Sequence, residues 1–182
     1  MTRWQDIEGY FTWPDYYDRI AEVASGYVMW RGIEVGAYCG KSAAYLGDRL
    51  HMGAKLDVLD IELTKHGTRD NLSNVNGIGE FIEKDSAEAA ACINNGSYDF
   101  VFIDADHAYQ SVRRDIDAWL PKVKSGGIIA GHDHCPDFTG VIQAVSETFP
   151  RYEVWRGMRG EGWGDKRMVD TGQYYSAWSV RV

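Results

Sequence analysis

The chain has 182 residues, 45% of them hydrophobic, which is enough to close one sizeable core, so a single domain over residues 1–182 is expected. Nineteen basic against 27 acidic residues leave a net charge of −8, which opposes binding to a phosphate backbone and favours a small-molecule partner over nucleic acid. Cys39, Cys92 and Cys135 form no CxxC pair, and neither an apolar signal region nor a membrane-length run is present, so a zinc knuckle, a disulfide framework and a membrane partner are not expected, and a reduced, cytoplasmic protein is.

The predicted elements begin at Pro14, which opens a helix over Asp15–Ala24 with Tyr17, Ile20, Ala21 and Ala24 on one face. A strand at Arg31–Val35 ends at Gly36, and a helix follows over Ser42–Leu50. Next come a strand at Leu56–Ile61, a helix over Thr68–Val75 and a short strand at Glu80–Glu83. A helix over Ala87–Ile93 is closed by Asn94-Asn95-Gly96, a candidate left-handed cap. Phe100–Asp104 is a strongly apolar strand, as expected where both sheet faces are covered. A helix over Tyr109–Leu120 stops at Pro121, a strand runs over Gly127–Ala130, and a helix over Val141–Thr148. Two last strands, Tyr152–Arg156 and Tyr174–Val182, flank the basic, glycine-rich loop Arg156–Arg167, a candidate cover for an active face. The alternation predicts an α/β fold: a doubly wound, Rossmann-like, mostly parallel seven-stranded sheet, with helices on both faces and an antiparallel C-terminal edge hairpin.

In such a sheet, ligands bind outside the carboxyl ends of the strands. The first strand delivers Glu34-Val-Gly36-Ala-Tyr-Cys-Gly40-Lys41-Ser42, which has one residue too few between its glycines for a phosphate-binding P-loop. An acid two residues before the glycine suits a ligand that carries a cation. Asp60 ends the second strand about 20 residues beyond the glycine loop, the usual place for a group that binds ribose hydroxyls, although Glu62 could take that role instead. Asp85-Ser86 follows the third strand, where Asp85 would sit near an adenine edge; either residue could instead cap the next helix. A cationic nucleoside without phosphate fits all three stations.

On these residues the chain resembles the class I S-adenosylmethionine-dependent methyltransferases, over nearly its whole length. The resemblance implies that Glu34, Gly36, Gly40, Lys41 and Ser42 belong to the loop around the methionine part of the cofactor, Lys41 near its carboxylate. It implies Asp60 and Ile61 at the ribose, Asp85 and Ser86 beside adenine, and Asp104 at the join with the acceptor. Asp104-Ala-Asp106-His107-Ala-Tyr109 and Gly126-Gly127-Ile-Ile-Ala-Gly-His132-Asp133 resemble the small-molecule O-methyltransferases of antibiotic-sugar (macrocin) type and, more distantly, the catechol type. The implied metal set for Mg²⁺ or Mn²⁺ is Asp104, His132 and Asp133, with an imidazole at 132 where the family offers oxygen. The implied catalytic residues are Asp104, His107 and His132, and without a metal one of His107, His132 and His134 would be the base.

The expected activity is therefore methyl transfer from S-adenosylmethionine to the hydroxyl of a small acceptor. The clusters DADH and HDH also allow a metal-dependent hydrolase, although that would leave Glu34 and Asp60 without a task. A cofactor-binding protein without turnover is a third reading. Strand four lacks the Asn/Asp-Pro-Pro-aromatic signature that the resemblance would require of a nucleic-acid N-methyltransferase. The chain is short for its relatives, so a partner subunit in a homo-oligomer, or an open pocket, is expected at the acceptor side.

Overall fold

A computed structural model describes residues 3–9, 11, 14–156 and 176–182. The loop Arg156–Arg167 falls, beyond Arg156, outside the described residues, as do Tyr174 and Tyr175. Among the described residues, six α-helices, α1 (Pro14–Ser25), α2 (Lys41–Gly47), α3 (Thr68–Leu72), α4 (Ser86–Ala91), α5 (Tyr109–Trp119) and α6 (Thr139–Thr148), surround one sheet. Its strands are β1 (Trp30–Val35), β2 (Ala54–Asp60), β3 (Ile78–Glu83), β4 (Tyr98–Ile103), β5 (Val123–Gly131), β6 (Glu153–Arg156) and β7 (Ser176–Arg181).

The order across the sheet is β3-β2-β1-β4-β5-β7-β6. The first five strands pair in parallel, while β7 pairs antiparallel with both β5 and β6. The predicted edge hairpin is present, with the C-terminal strand inserted next to β5 and β6 left at the edge. From β1 the chain moves outward to β2, then returns to place β4 on β1's other side. That reversal opens a crevice above the carboxyl ends of β1 and β4.

Side-chain alternation along the strands divides the core in two. Phe100 and Phe102 of β4 face a cluster with Phe11, Tyr17, Ile20 and Leu46, under α1 and α2. Val101 and Ile103 face the opposite cluster, with Val112, Ile116 and Trp119 of α5, Val145 of α6 and Trp178 of β7. The spacing of Val112, Ile116 and Trp119 is that of one helix face, and Pro121, which cannot donate an amide, stands just past the end of α5.

Some boundaries differ from expectation. Strand β5 starts at Val123, four residues before the predicted start, because the Gly126-Gly127 pair is held inside an irregular strand rather than in a turn. Gly126 has φ +82° and its amide donates to the Val182 carbonyl. Helices α3 and α4 end sooner than predicted. Gly96 is left-handed, as expected, but it lies in the turn after α4 has ended, where its amide meets the Pro121 carbonyl. Among the described residues no helix is long and apolar enough to cross a membrane.

Candidate active site

The turn after β1 is shaped by two left-handed glycines, Gly36 (φ +91°) and Gly40 (φ +82°), the latter standing at the N-cap of α2. Between them Tyr38 also has positive φ, +47°, and its amide donates to Asp60 Oδ2 at 2.8 Å. The other Asp60 oxygen accepts from the Glu62 amide at 2.9 Å. A carboxylate with both oxygens held by backbone amides ties the end of β2 to the glycine turn. The Tyr38 ring packs on His66 at 4.4 Å between centroids and lines the crevice.

Glu34 is 0% exposed and lies beneath this turn rather than in the crevice. Its Oε1 accepts from Ser42 Oγ at 2.6 Å and from the Tyr17 hydroxyl at 3.1 Å, while Oε2 is buried without a hydrogen-bond partner. Burial outweighs those two hydroxyl donors and, with the charge of Asp60 added, raises the carboxyl from its ordinary 4.5 to about 7. Below pH 4.5 the group is protonated whether folded or unfolded, and no penalty arises. As pH climbs to about 7 the unfolded chain releases a proton that the folded chain retains, so stability falls across that window by about 3 kcal/mol and then levels off. Glu34→Gln should flatten that fall, as read by urea denaturation from pH 4 to pH 8; an unchanged pH profile would contradict it.

The residues expected around the cofactor divide into two groups. Gly36, Asp60, Ile61, Asp85, Ser86 and Asp104 line one crevice of about 450 Å³. Ser42 is occupied by Glu34, and Lys41 Nζ donates to the Ile7 carbonyl at 2.8 Å, so Lys41 anchors the N-terminal segment to α2. Asp85 takes the capping role left open by the sequence: its Oδ1 accepts from the Ala87 and Glu88 amides and pairs with Arg114. Ser86 Oγ accepts the Trp119 indole N–H at 2.8 Å. Both nonetheless border the crevice, together with Lys84, Ser111 and Arg114, which the sequence did not single out. Tyr17 was expected only as part of a helix face, and Tyr38 was not assigned to the site, although its place inside the glycine loop was the available signal.

Beside the crevice, Asp104, His107 and Asp133 converge, each offering one ligand atom, and these atoms all lie within 4.8 Å of one another. His107 Nε2 is 2.6 Å from Asp133 Oδ2, and His132 Nδ1 is 3.0 Å from Asp133 Oδ1. His132 Nδ1 is 3.7 Å from Asp104 Oδ1, beyond hydrogen-bond range. Burial alone would raise Asp133, but the hydrogen bonds from His107 and His132 prevail and hold it at about 2. Burial, followed by the charges of Asp133 and Glu34, pushes Asp104 well above the usual carboxylate range. Asp133 raises His107, whereas burial lowers His132 and His134. The His107 ring also packs on Phe138 at 4.2 Å. His134 instead turns to the Tyr152 hydroxyl at 3.2 Å, and its backbone pairs with Ser176.

The elements carrying this arrangement coincide with a known family: a protein-family profile described as "Methyltransferase domain" matches residues 33–134, more than half of the chain. The chain belongs to this family. Three solved structures place the methyltransferase among relatives of the same fold. An S-adenosylmethionine-dependent O-methyltransferase from Thermotoga maritima is 18% identical, with 96% of this chain and 68% of that one covered at a TM-score of 0.65. An O-methyltransferase from Bacillus cereus, solved in complex with SAH, is 18% identical over 98% and 86% of the two chains at 0.65. An rRNA methylase from Streptococcus thermophilus is 13% identical over 92% and 93% at 0.66. The methyltransferase thus has the Rossmann-like fold these proteins share. Since an RNA enzyme stands among them, the fold does not separate small-molecule from nucleic-acid acceptors.

Proposed function

We propose that this methyltransferase moves a methyl group from S-adenosylmethionine to a hydroxyl of a small molecule, such as a sugar or another hydroxylated metabolite. The observation that carries the reading is the double membership of Asp104. It lines the crevice with Gly36 and Asp60, and it also belongs to the cluster with His107 and Asp133. Cofactor cleft and proton-accepting groups therefore meet at one residue.

The crevice suits the cofactor. Its volume is in the range of small-ligand sites, and Ile61, 66% exposed, offers an apolar surface to a base. Asp60 stands where ribose hydroxyls are read, and it lines the crevice together with Gly36. When bound, the cofactor supplies an electrophilic methyl on a sulfonium. The protein's own part is alignment and deprotonation of the acceptor oxygen. Without an ion, His107, held by Asp133 through Nε2, is the proton acceptor, and the crevice wall at Asp104 sets where the hydroxyl lies. Asp104 and Asp133 would also hold a divalent ion, Mg²⁺ or Mn²⁺, whose contribution is Lewis acidity toward that hydroxyl. We read the enzyme as a cytoplasmic, single-domain protein with neither nucleic acid nor membrane as partner; the net charge of −8 supports this.

Release of S-adenosylhomocysteine in the presence of sugar, catechol and other hydroxylated acceptors tests the reading, with ribosomal RNA as a parallel arm. Turnover is expected with at least one small acceptor and not with RNA. Turnover with RNA alone, or with nothing, would refute it.

A further inference from the structure

We propose that the cluster beside the crevice is a binding site for a first-row transition ion in which His107, and not His132, supplies the nitrogen ligand, alongside Asp104 and Asp133. The inference rests on the methyl-transfer reading for its purpose, but its geometry stands independently. A first-row ion holds nitrogen and oxygen donors at about 2.0–2.2 Å, which sets neighbouring donors about 3–4 Å apart. The three ligand atoms converge within 4.8 Å, close enough for such an ion to draw them together.

The two histidines differ in what is left to them. His132 is 95% buried in its side chain, and its Nδ1 is directed at Asp133 Oδ1 at 3.0 Å. That is the arrangement of an outer residue that fixes a ligating carboxylate by holding the oxygen the ion does not use. His107 is 38% exposed in its side chain and meets the opposite oxygen of Asp133, and its ligand atom lies within 4.8 Å of those of Asp104 and Asp133. An ion drawn between His107, Asp133 and Asp104 would replace one hydrogen bond, and the exposed side leaves further positions for water or an acceptor oxygen.

Two carboxylates with one imidazole also favour one class of ion. Mg²⁺ prefers oxygen donors and gives up its waters reluctantly, whereas imidazole suits Mn²⁺, Fe²⁺, Co²⁺ and Zn²⁺. The site is therefore assigned to that class, with Mg²⁺ the weaker occupant.

The test is titration of the purified chain with Mn²⁺ alone and with Mg²⁺ alone, followed by electron spin-echo detection of nitrogen coupling on bound Mn²⁺. Mn²⁺ should bind at least about tenfold more tightly than Mg²⁺, with nitrogen coupling present. His107→Gln should weaken Mn²⁺ by about tenfold or more and remove the coupling, while His132→Gln should retain it. Circular dichroism and S-adenosylmethionine titration of each variant separate misfolding from ligand loss, and His107→Ala in place of Gln provides a second version. Equal affinity for the two ions, no Mn²⁺ binding at millimolar concentration, or nitrogen coupling that survives loss of His107 would overturn the assignment. Wild-type turnover that persists in chelator would overturn the ion's part while leaving methyl transfer standing.

Discussion

Gly36→Ala is expected to abolish cofactor binding, with at least about a hundredfold loss of affinity, since close backbone approach is what this glycine permits. A methyl group at this position would stand 2.2 Å from the Asp104 carbonyl oxygen and 2.5 Å from its carbon, both backbone atoms that cannot rotate aside. The φ of +91° adds a conformational cost of about 1–3 kcal/mol for any residue with a Cβ. The collision forces β1 and β4 apart at the end where Asp60 is tied to the turn and where Asp104 joins the two halves of the site. Gly67→Ala supplies the contrast: its φ is +66°, yet no atom lies within 4 Å of the added methyl. It should cost only the conformational part, about 1 kcal/mol, and leave cofactor affinity unchanged. Denaturant titration and calorimetry on the two variants measure both effects. Equal behaviour of the two would mean that close packing at Gly36 has no functional weight.

Asp133→Asn is expected to lower kcat by about 10²–10⁴ while S-adenosylmethionine affinity stays at its wild-type level. Asp133 has positive φ, +57°, a conformation asparagine tolerates better than most residues, so the backbone should survive the change. The amide, however, offers one acceptor oxygen where the carboxylate offers two. One imidazole, His107 at 2.6 Å or His132 at 3.0 Å, then faces an NH₂ group. The change also removes the largest influence that raises His107, its hydrogen bond to the Asp133 carboxylate. Asp133 does not line the crevice, so a parallel loss of cofactor affinity would show that it acts through the fold and not on the acceptor. Single-turnover kinetics beside calorimetry distinguish these outcomes.

The fold was largely legible because its signals are local. Alternation of apolar strands with amphipathic helices such as α5 led to the parallel sheet, and the absence of a helix between the last strands led to the antiparallel edge. Asp60 and Gly36 could be placed at the crevice because topology alone puts the residues that follow parallel strands at one rim. What sequence could not show was the direction of side chains at that rim. Glu34 was read as facing the ligand's cation, but alternation in β1 turns it under the glycine turn toward Tyr17 and Ser42. Lys41 was placed near the cofactor, but the N-terminal segment packs on α2 and presents the Ile7 carbonyl to it. The resemblance put His132, and not His107, among the metal ligands. Their difference arises from the reach of Asp133, whose two oxygens separate a half-exposed ring from a buried one.

The most direct measurement of the account is calorimetric titration of the chain with S-adenosylmethionine, with S-adenosylhomocysteine and ATP run alongside, in the absence and presence of Mn²⁺. The account predicts saturable binding of both nucleosides and none of ATP, because the turn from Gly36 to Gly40 is tied to a carboxylate at Asp60 and floored by the buried Glu34. No heat with S-adenosylmethionine under either condition, or binding of ATP in its place, would contradict it.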